Sequence, residues 1–124
     1  FMIPREKFIT VERDTNAQMA ARIMRDRGIG SLFVTNGKEI IGILTDTDMV
    51  RRVVATGADT QKTTVEQVMS APILTIDENK TLLDANDLMA KTHIRHLGVT
   101  QDGKLAGMIS VRDLVLFLTN LPRK

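Results

Sequence analysis

The chain repeats itself at an offset of 65 residues, and this duplication limits its possible folds more than any other feature. Ten residues recur identically without a gap, from the pair Thr10 and Thr75 to the pair Val50 and Val115. A half of about 60 residues buries too little surface to be comfortably stable alone. We therefore expect two repeats, residues 1–60 and 61–124, that pack together as a closed pair related by a pseudo-twofold axis.

Each repeat predicts the same order of elements, namely strand, helix, hairpin and helix. The hairpins are indicated by Asn36-Gly37 and by Asp102-Gly103, which are strong turn signals between apolar runs. The fold class is therefore α/β (α+β), with two β-α-β-β-α repeats. The predicted first strands are residues 8–11 and 73–76, and the predicted last helices are residues 48–55 and 113–120.

Helix boundaries are indicated by capping residues. Asp14-Thr15 is expected to cap the first helix, and Thr81 lies in the segment expected to cap its counterpart. Gly28 suits a left-handed end of the first helix, and Thr64 is expected to cap a short turn between the repeats. The apolar helix faces that should enter the core are Ala20, Ile23 and Met24 in one repeat, and Leu82, Ala85, Leu88 and Met89 in the other.

Composition excludes several classes of protein and site. The chain is 43% hydrophobic and carries a net charge of +2, so it is neither disordered nor strongly basic. It has no cysteine, which excludes disulfides and thiolate metal sites, and no tryptophan or tyrosine on which successive bases could stack. We expect no nucleic-acid partner, no membrane span, no secretory leader and a cytoplasmic location.

One pattern stands at the junction of a predicted strand and the last helix of each repeat. A glycine is followed by a hydroxyl and then, three residues later, by a carboxylate: Thr45 and Asp48 in the first repeat, Ser110 and Asp113 in the second. A hydroxyl and free amides at a helix N-terminus suit phosphate, and a nearby carboxylate can accept the hydroxyls of a ribose. The same spacing is also that of an ordinary helix cap.

These segments resemble the signature of the cystathionine-beta-synthase (CBS) domain family, and the resemblance covers nearly the whole chain. The residues that carry it are Gly42-Ile-Leu-Thr45-Asp-Thr-Asp48, Gly107-Met-Ile-Ser110-Val-Arg-Asp113, Met69-Ser-Ala-Pro72, Ile94-Arg-His-Leu97 and Gly103-Lys-Leu-Ala-Gly107. The resemblance implies two repeats packed sheet to sheet, with clefts for AMP, ADP, ATP or S-adenosylmethionine as a regulatory ligand. It also implies that Asp48 and Asp113 hold ribose, while Thr45 and Ser110 face phosphate or the ribose edge.

The resemblance further implies that adenine lies between aliphatic residues. The expected contacts are Thr10, Val11, Ala20, Thr75, Ile76 and Ala85. The absence of tryptophan and tyrosine agrees with an aliphatic clamp.

The two signature sites differ in charge. Arg95, His96 and Arg112 are expected near the second site, whereas the matching positions of the first are Gly30, Ser31 and Thr47. Because guanidinium groups match phosphate oxygens, the second site is expected to bind the phosphorylated ligand more strongly. Arg51 and Arg52 fit either a surface pair or a phosphate contact.

The sequence allows three other interpretations. His93 and His96 have a spacing that metal sites use, but no third ligand is evident. An enzyme is disfavoured because no nucleophile or tuned acid–base pair stands out. The remaining alternative is a structural dimerisation module with vestigial clefts, since residues 114–118 are apolar nearly all round a helix. A homodimer through the signature helices is expected in either case, and an effector protein or fused domain is a further partner.

Overall fold

The chain forms two compact units that divide between Ile73 and Leu74. The computed structural model describes the backbone of residues 3–4 and 7–119, and side chains within residues 7–115. The first unit is Phe8–Ile73, and the second comprises the chain from Leu74 together with the N-terminal strand β1 (Ile3–Pro4). The limits 1–60 and 61–124 describe the duplication in the sequence, and as domain limits they stay a prediction.

The first unit contains a three-stranded sheet in the order β2-β3-β4. Strand β2 is parallel to β3, and β3 is antiparallel to β4. The elements are β2 (Thr10–Glu12), α1 (Ala17–Arg27), β3 (Ser31–Asn36), β4 (Glu39–Thr45), α2 (Asp46–Asp48), a π-helical segment (Met49–Val54) and α3 (Val65–Val68). An isolated bridge between Ile43 and Ser70 adds one further pairing to the outer edge of β4.

The second unit repeats this arrangement with one more strand. Its sheet has the order β1-β7-β6-β5, and Ile3 of β1 pairs with Met108 of β7. The other elements are β5 (Thr75–Asp77), α4 (Leu82–Thr92), β6 (His96–Gln101), β7 (Lys104–Ser110) and α5 (Val111–Thr119). The predicted β-α-β-β-α order is thus confirmed in both units.

Each unit has its own hydrophobic core between its helices and one face of its sheet. In the first core, Ala20 and Met24 of α1 are buried with Leu32, Val34 and Leu44 of the sheet. The second core contains their counterparts Ala85, Met89, Leu97, Val99 and Ile109. The predicted helix faces are confirmed, because Ile23, Leu82 and Leu88 are partly buried against the same cores.

The helix caps are partly those expected. Thr81 caps α4, and hydrogen bonds from its backbone N–H and its side chain hold the pKa of Asp84 below its usual value. Gly28 ends α1 in the left-handed conformation. The expectation of Asp14-Thr15 as the cap of α1 is wrong, because Asn16 takes that position and its Oδ1 accepts a hydrogen bond of 2.8 Å from the Met19 N–H.

Both predicted hairpins are present, but their turns differ. In the second unit, Asp102 and Gly103 are the two turn residues, and both have positive φ. In the first unit, Asn36 is the last paired residue of β3, so the turn is made by Gly37 and the residue after it. Only Gly37 has positive φ there, which is typical of a turn with glycine at its first central position.

The two signature helices also differ. In the first unit, a single turn of α-helix (α2) continues directly into the π-helical segment Met49–Val54. In the second unit, α5 is α-helical from Val111 to Thr119. The prediction that this helix extends to Asn120 falls outside the described residues.

Candidate functional site

The two signature corners are the turns in which a strand runs directly into a helix, β4 into α2 and β7 into α5. In the first corner, the Thr45 N–H donates to Oδ2 of Asp48 over 3.0 Å, and the Asp48 N–H donates to Oγ1 of Thr45 over 3.2 Å. This reciprocal capping box fixes both side chains at the helix N-terminus. The local sequence therefore determines the geometry of the corner.

Asp48 is bound on both oxygens in the first corner. Its other oxygen, Oδ1, accepts a hydrogen bond of 2.9 Å from the Ser70 hydroxyl and lies 3.9 Å from Nε of Arg52. Arg52 in turn donates to the Met69 carbonyl over 2.8 Å. Because Asp48 is only 6% exposed, this carboxylate has little freedom to accept bonds from a ligand.

Within the described part of the chain, Asp113 is bound on one oxygen only. Oδ2 accepts from the Ser110 N–H over 2.9 Å and from the Ser110 hydroxyl over 3.0 Å. The Asp113 N–H donates to Oγ of Ser110 over 3.1 Å, which completes the cap. No described residue donates a hydrogen bond to Oδ1, and Asp113 is only partly buried. The second corner thus holds a carboxylate in position with one oxygen available.

The difference follows from two residues that the second corner lacks. Ser70 bridges Ile43, and the counterpart of Ile43, Met108, pairs with Ile3, which has no hydroxyl. The residue 65 positions after Arg52 is a phenylalanine, Phe117. The role of Ser70 was not predicted, and the structure gives Arg52 a partner in the Met69 carbonyl of its own unit. Ser70 lies outside the segments that match without a gap, so the alignment gives no signal for it. The replacement of Arg52 by Phe117 in the second repeat can be read from the alignment.

The charged residues around the two corners also differ. His96 pairs with Ser110 across β6 and β7, and the Arg95 carbonyl accepts a hydrogen bond of 2.9 Å from the Val111 N–H. The side chains of Arg95 and Arg112 are exposed. The structure therefore brings the predicted basic residues to the end of the hairpin at which Asp113 stands. At the first corner, the counterpart of Arg95 is Gly30, beside the carboxylate of Asp46.

The residues expected around adenine fall into three environments. Thr10 and Thr75 are exposed. Val11 and Ala20 belong to the first hydrophobic core and are 7% and 0% exposed. Ile76 and Ala85 line a cavity of about 260 Å³ in the second unit. Contact of any of these six residues with a ligand stays a prediction.

Comparison with known proteins assigns the family. The model of the CBS domain matches the chain twice, over residues 2–55 and 65–120. The chain belongs to the CBS domain family. It is 35% identical to an uncharacterised protein of Methanopyrus kandleri, over 91% of this chain and 59% of that protein. It is also 35% identical to the CBS domain-containing protein YhcV of Bacillus subtilis, over 86% of this chain and 76% of that protein.

Solved structures of CBS proteins have the same fold. A Burkholderia ambifaria protein described as a signal-transduction protein with CBS domains matches with a TM-score of 0.85 and 32% identity, over 95% of this chain and 88% of that chain. A hexameric CBS-CP12 protein from bloom-forming cyanobacteria matches with a TM-score of 0.80 and 28% identity, over 98% of this chain and 72% of that chain. These relatives are described as signal-transduction, CBS domain-containing or uncharacterised proteins, and their descriptions indicate no catalytic family. Within the described part of the chain, no helix combines the length and apolar character that crossing a membrane requires.

Proposed function

We propose that this chain is a regulatory module that binds an adenosine-containing ligand, with the ribose held by Asp113. The observation that carries the proposal is a carboxylate whose Oδ2 is fixed by Ser110 and whose Oδ1 accepts no hydrogen bond from any described residue. A carboxylate held in place can accept hydrogen bonds from ribose hydroxyls without first losing side-chain freedom. The duplicated family signature supports the same assignment.

The charges beside Asp113 favour a phosphorylated ligand such as AMP, ADP or ATP. Arg95, His96 and Arg112 stand at the same end of the β6–β7 hairpin. Charge-assisted bonds from guanidinium to phosphate are roughly twice as strong as neutral ones. The first corner has Arg52, but this side chain donates to the Met69 carbonyl and lies 3.9 Å from Oδ1 of Asp48, so its charge is already partnered within the unit. We therefore assign it a weaker site, or one suited to a less anionic ligand such as S-adenosylmethionine.

A ligand screen tests the proposal directly. Thermal shift and calorimetry with AMP, ADP, ATP and S-adenosylmethionine, with GMP as control, are expected to show binding of adenosine compounds but not of GMP. A ligand at about 100 times its Kd stabilises the folded state by about 2.7 kcal/mol, so the shift in Tm is measurable. If no compound shifts the Tm, the chain is a structural module, and if nucleotide is turned over, it is an enzyme.

Regulation requires that ligand occupancy be coupled to a partner. Such coupling is reciprocal, so an effector protein or fused domain that prefers the liganded form must tighten ligand binding by the same factor. The absence of cysteine is compatible with a cytoplasmic location for this activity.

Self-association through the signature helices is part of the proposal. Val50 and Val54 in the first unit are 59% and 73% exposed, and Val115 on α5 is 52% exposed. Leu114 points into the core and is 5% exposed, while the side chains of residues 116–118 lie outside the described residues. Apolar side chains on the outer faces of both signature helices favour a homodimer.

Replacing these valines by a charged residue should break the dimer. We expect Val54→Asp combined with Val115→Asp to shift the chain to monomer in sedimentation velocity, because two charges cannot be desolvated in an apolar interface. Leu83→Asp is the matched control, since Leu83 is 68% exposed on a different helix. An unchanged sedimentation coefficient in the double variant, or an equal shift in the control, would contradict this interface.

A further inference from the structure

The hairpin of the first unit contains an asparagine directly followed by a glycine, Asn36-Gly37. In such a pair, the backbone nitrogen of the glycine can attack the side-chain amide carbon of the asparagine, because glycine has no side chain in the way. Asparagine is for this reason a thermolabile residue. Asn36 and Gly37 are both exposed, and no described residue forms a hydrogen bond with the Asn36 side chain. Sequence and exposure therefore predict a reactive site at Asn36.

The reaction is deamidation, and its only co-reactant is water. The Gly37 nitrogen loses its proton to solvent and bonds to Cγ of Asn36, while the bond from Cγ to the side-chain nitrogen breaks and ammonia leaves. Water then opens the resulting succinimide ring at either of its carbonyls, which yields isoaspartate or aspartate. Because isoaspartate lengthens the backbone by a carbon atom, it would disrupt the pairing of Asn36 with Glu39.

A carboxylate from β2 binds the nitrogen that would attack. The Gly37 N–H donates to Oε1 of Glu12 over 2.9 Å. The other oxygen, Oε2, accepts a hydrogen bond from the hydroxyl of Thr35, which is only 9% exposed. Because Thr35 belongs to β3, the Glu12 side chain is held between a buried anchor in the sheet and the turn itself.

Glu12 holds this nitrogen as a charged acceptor. The hydrogen bonds from the Thr35 hydroxyl and from the Gly37 N–H hold the pKa of Glu12 below its usual value. The carboxylate therefore stays ionised in neutral and alkaline solution, and a charge-assisted hydrogen bond is stronger than a neutral one. A carboxylate is also far too weak a base to remove an amide proton. Gly37 must therefore give up this bond before its nitrogen can turn toward Cγ of Asn36.

The hairpin of the second unit lacks such a contact. Its turn residues, Asp102 and Gly103, can form the same succinimide ring with loss of water in place of ammonia. The counterpart of Glu12 is Asp77, whose Oδ1 accepts from the Asn79 N–H over 2.9 Å. Among the described residues, none accepts a hydrogen bond from the Gly103 N–H. The two turns therefore differ in the protection of the nitrogen that attacks.

We propose that Glu12 protects Asn36 from deamidation by holding the N–H of Gly37. The protected hairpin carries Leu44 into the first hydrophobic core and ends at Thr45 of the first signature corner. Glu12 thus preserves the chemical integrity of the first unit, and this role does not depend on ligand binding at either corner.

Substitutions of Glu12 in the full chain test the proposal. Glu12→Ala removes the acceptor, and we expect Asn36 to deamidate about tenfold faster than in the wild type in mildly alkaline buffer. Glu12→Gln is the matched variant, because its side-chain oxygen can still accept from the Gly37 N–H and its amide nitrogen can donate to the Thr35 hydroxyl. Its rate should stay within about threefold of the wild-type rate. Peptide mapping by mass spectrometry, with chromatographic separation of isoaspartate, measures these rates.

Controls separate the contact from other effects. Glu39→Ala removes a neighbouring exposed carboxylate of the same hairpin and should leave the Asn36 rate unchanged. Isomerisation of Asp102 in the same samples is an internal reference that Glu12→Ala should not change. Hydrogen exchange of the Leu44 amide, which lies within the sheet, should also be unchanged, since the loss of Glu12 is expected to act on the turn alone.

The proposal would be overturned by an equal or slower Asn36 rate in Glu12→Ala, or by an equal increase in Glu39→Ala. An acceleration of Leu44 exchange as large as that of deamidation would also overturn it, because the first unit as a whole would then be looser. A measurement on the wild type does not require Glu12→Ala to fold. The Gly37 amide should exchange with solvent about tenfold more slowly than the Gly103 amide. Equal exchange of these two amides would contradict the protecting contact.

Discussion

Asp113→Ala is expected to weaken binding of AMP by about 10- to 100-fold. Oδ1 of Asp113 is the proposed acceptor for the ribose hydroxyls, and hydrogen bonds to a charged group contribute about 1.5–3 kcal/mol. Isothermal titration calorimetry of the purified variant against AMP and ATP measures the effect. The variant also loses the bonds that the Asp113 carboxylate accepts from the Ser110 N–H and hydroxyl, at a cost of about 1 kcal/mol, so it should remain folded at the titration temperature.

Asp48→Ala is the matched control for this measurement, because it removes the same residue from the other repeat. We expect it to change AMP affinity by less than about threefold, since both oxygens of Asp48 are already bound within the first unit. Equal losses in the two variants would refute the proposed asymmetry between the corners. If Asp48→Ala abolished AMP binding and Asp113→Ala left it unchanged, the ribose site would be assigned to the first corner.

Asp48→Ala should destabilise the protein more than Asp113→Ala does. We expect it to lower the free energy of unfolding by about 2–3 kcal/mol. It removes the capping box with Thr45 and leaves the Ser70 hydroxyl without its acceptor. Loss of a cap costs about 1 kcal/mol, and the partly buried hydrogen bond from Ser70 contributes about 1–2 kcal/mol. Urea unfolding followed by circular dichroism measures the difference.

Asp46→Ala is the control for the stability measurement. Asp46 lies two residues away in the same corner, but it is exposed, and among the described groups its carboxylate accepts only the adjacent Thr47 N–H. Its loss should lower the free energy of unfolding by less than about 1 kcal/mol. A double-mutant cycle with Ser70→Ala should show coupling to Asp48, and additive effects would mean that the Ser70–Asp48 bond does not stabilise the unit.

Much of the architecture could be predicted because each helix and strand of the repeat occurs in two copies of the sequence. A turn or helix face that is ambiguous in one copy is supported by the other, as with Met24 and Met89 in the two cores. The signature corners were predictable for the same reason, since Thr45 and Ser110 cap their helices through contacts within four residues. Local chemistry of this kind is readable from sequence spacing.

The remaining features depend on contacts between segments distant in sequence. Ser70 reaches Asp48 across 22 positions, and no local pattern indicates that bond. The π-helical segment Met49–Val54 was likewise predicted as an ordinary helix, because its apolar spacing does not distinguish the two forms. The short turn after Thr64 could be predicted from its cap, but no local pattern indicates that Val65 and Val68 enter the core of the first unit.

The position of α3 has a consequence for fragments of this protein. The segment from Val65 to Ser70 precedes the first strand of the second repeat, yet it completes the core of the first unit and hydrogen-bonds to its sheet. The boundary between the two repeats of the sequence therefore lies roughly a dozen residues before the boundary between the two folded units. A fragment that ends at residue 60 would expose Ala17 and Val34. A fragment that ends at Ile73 would contain Val65 and Val68 and so keep the first hydrophobic core complete.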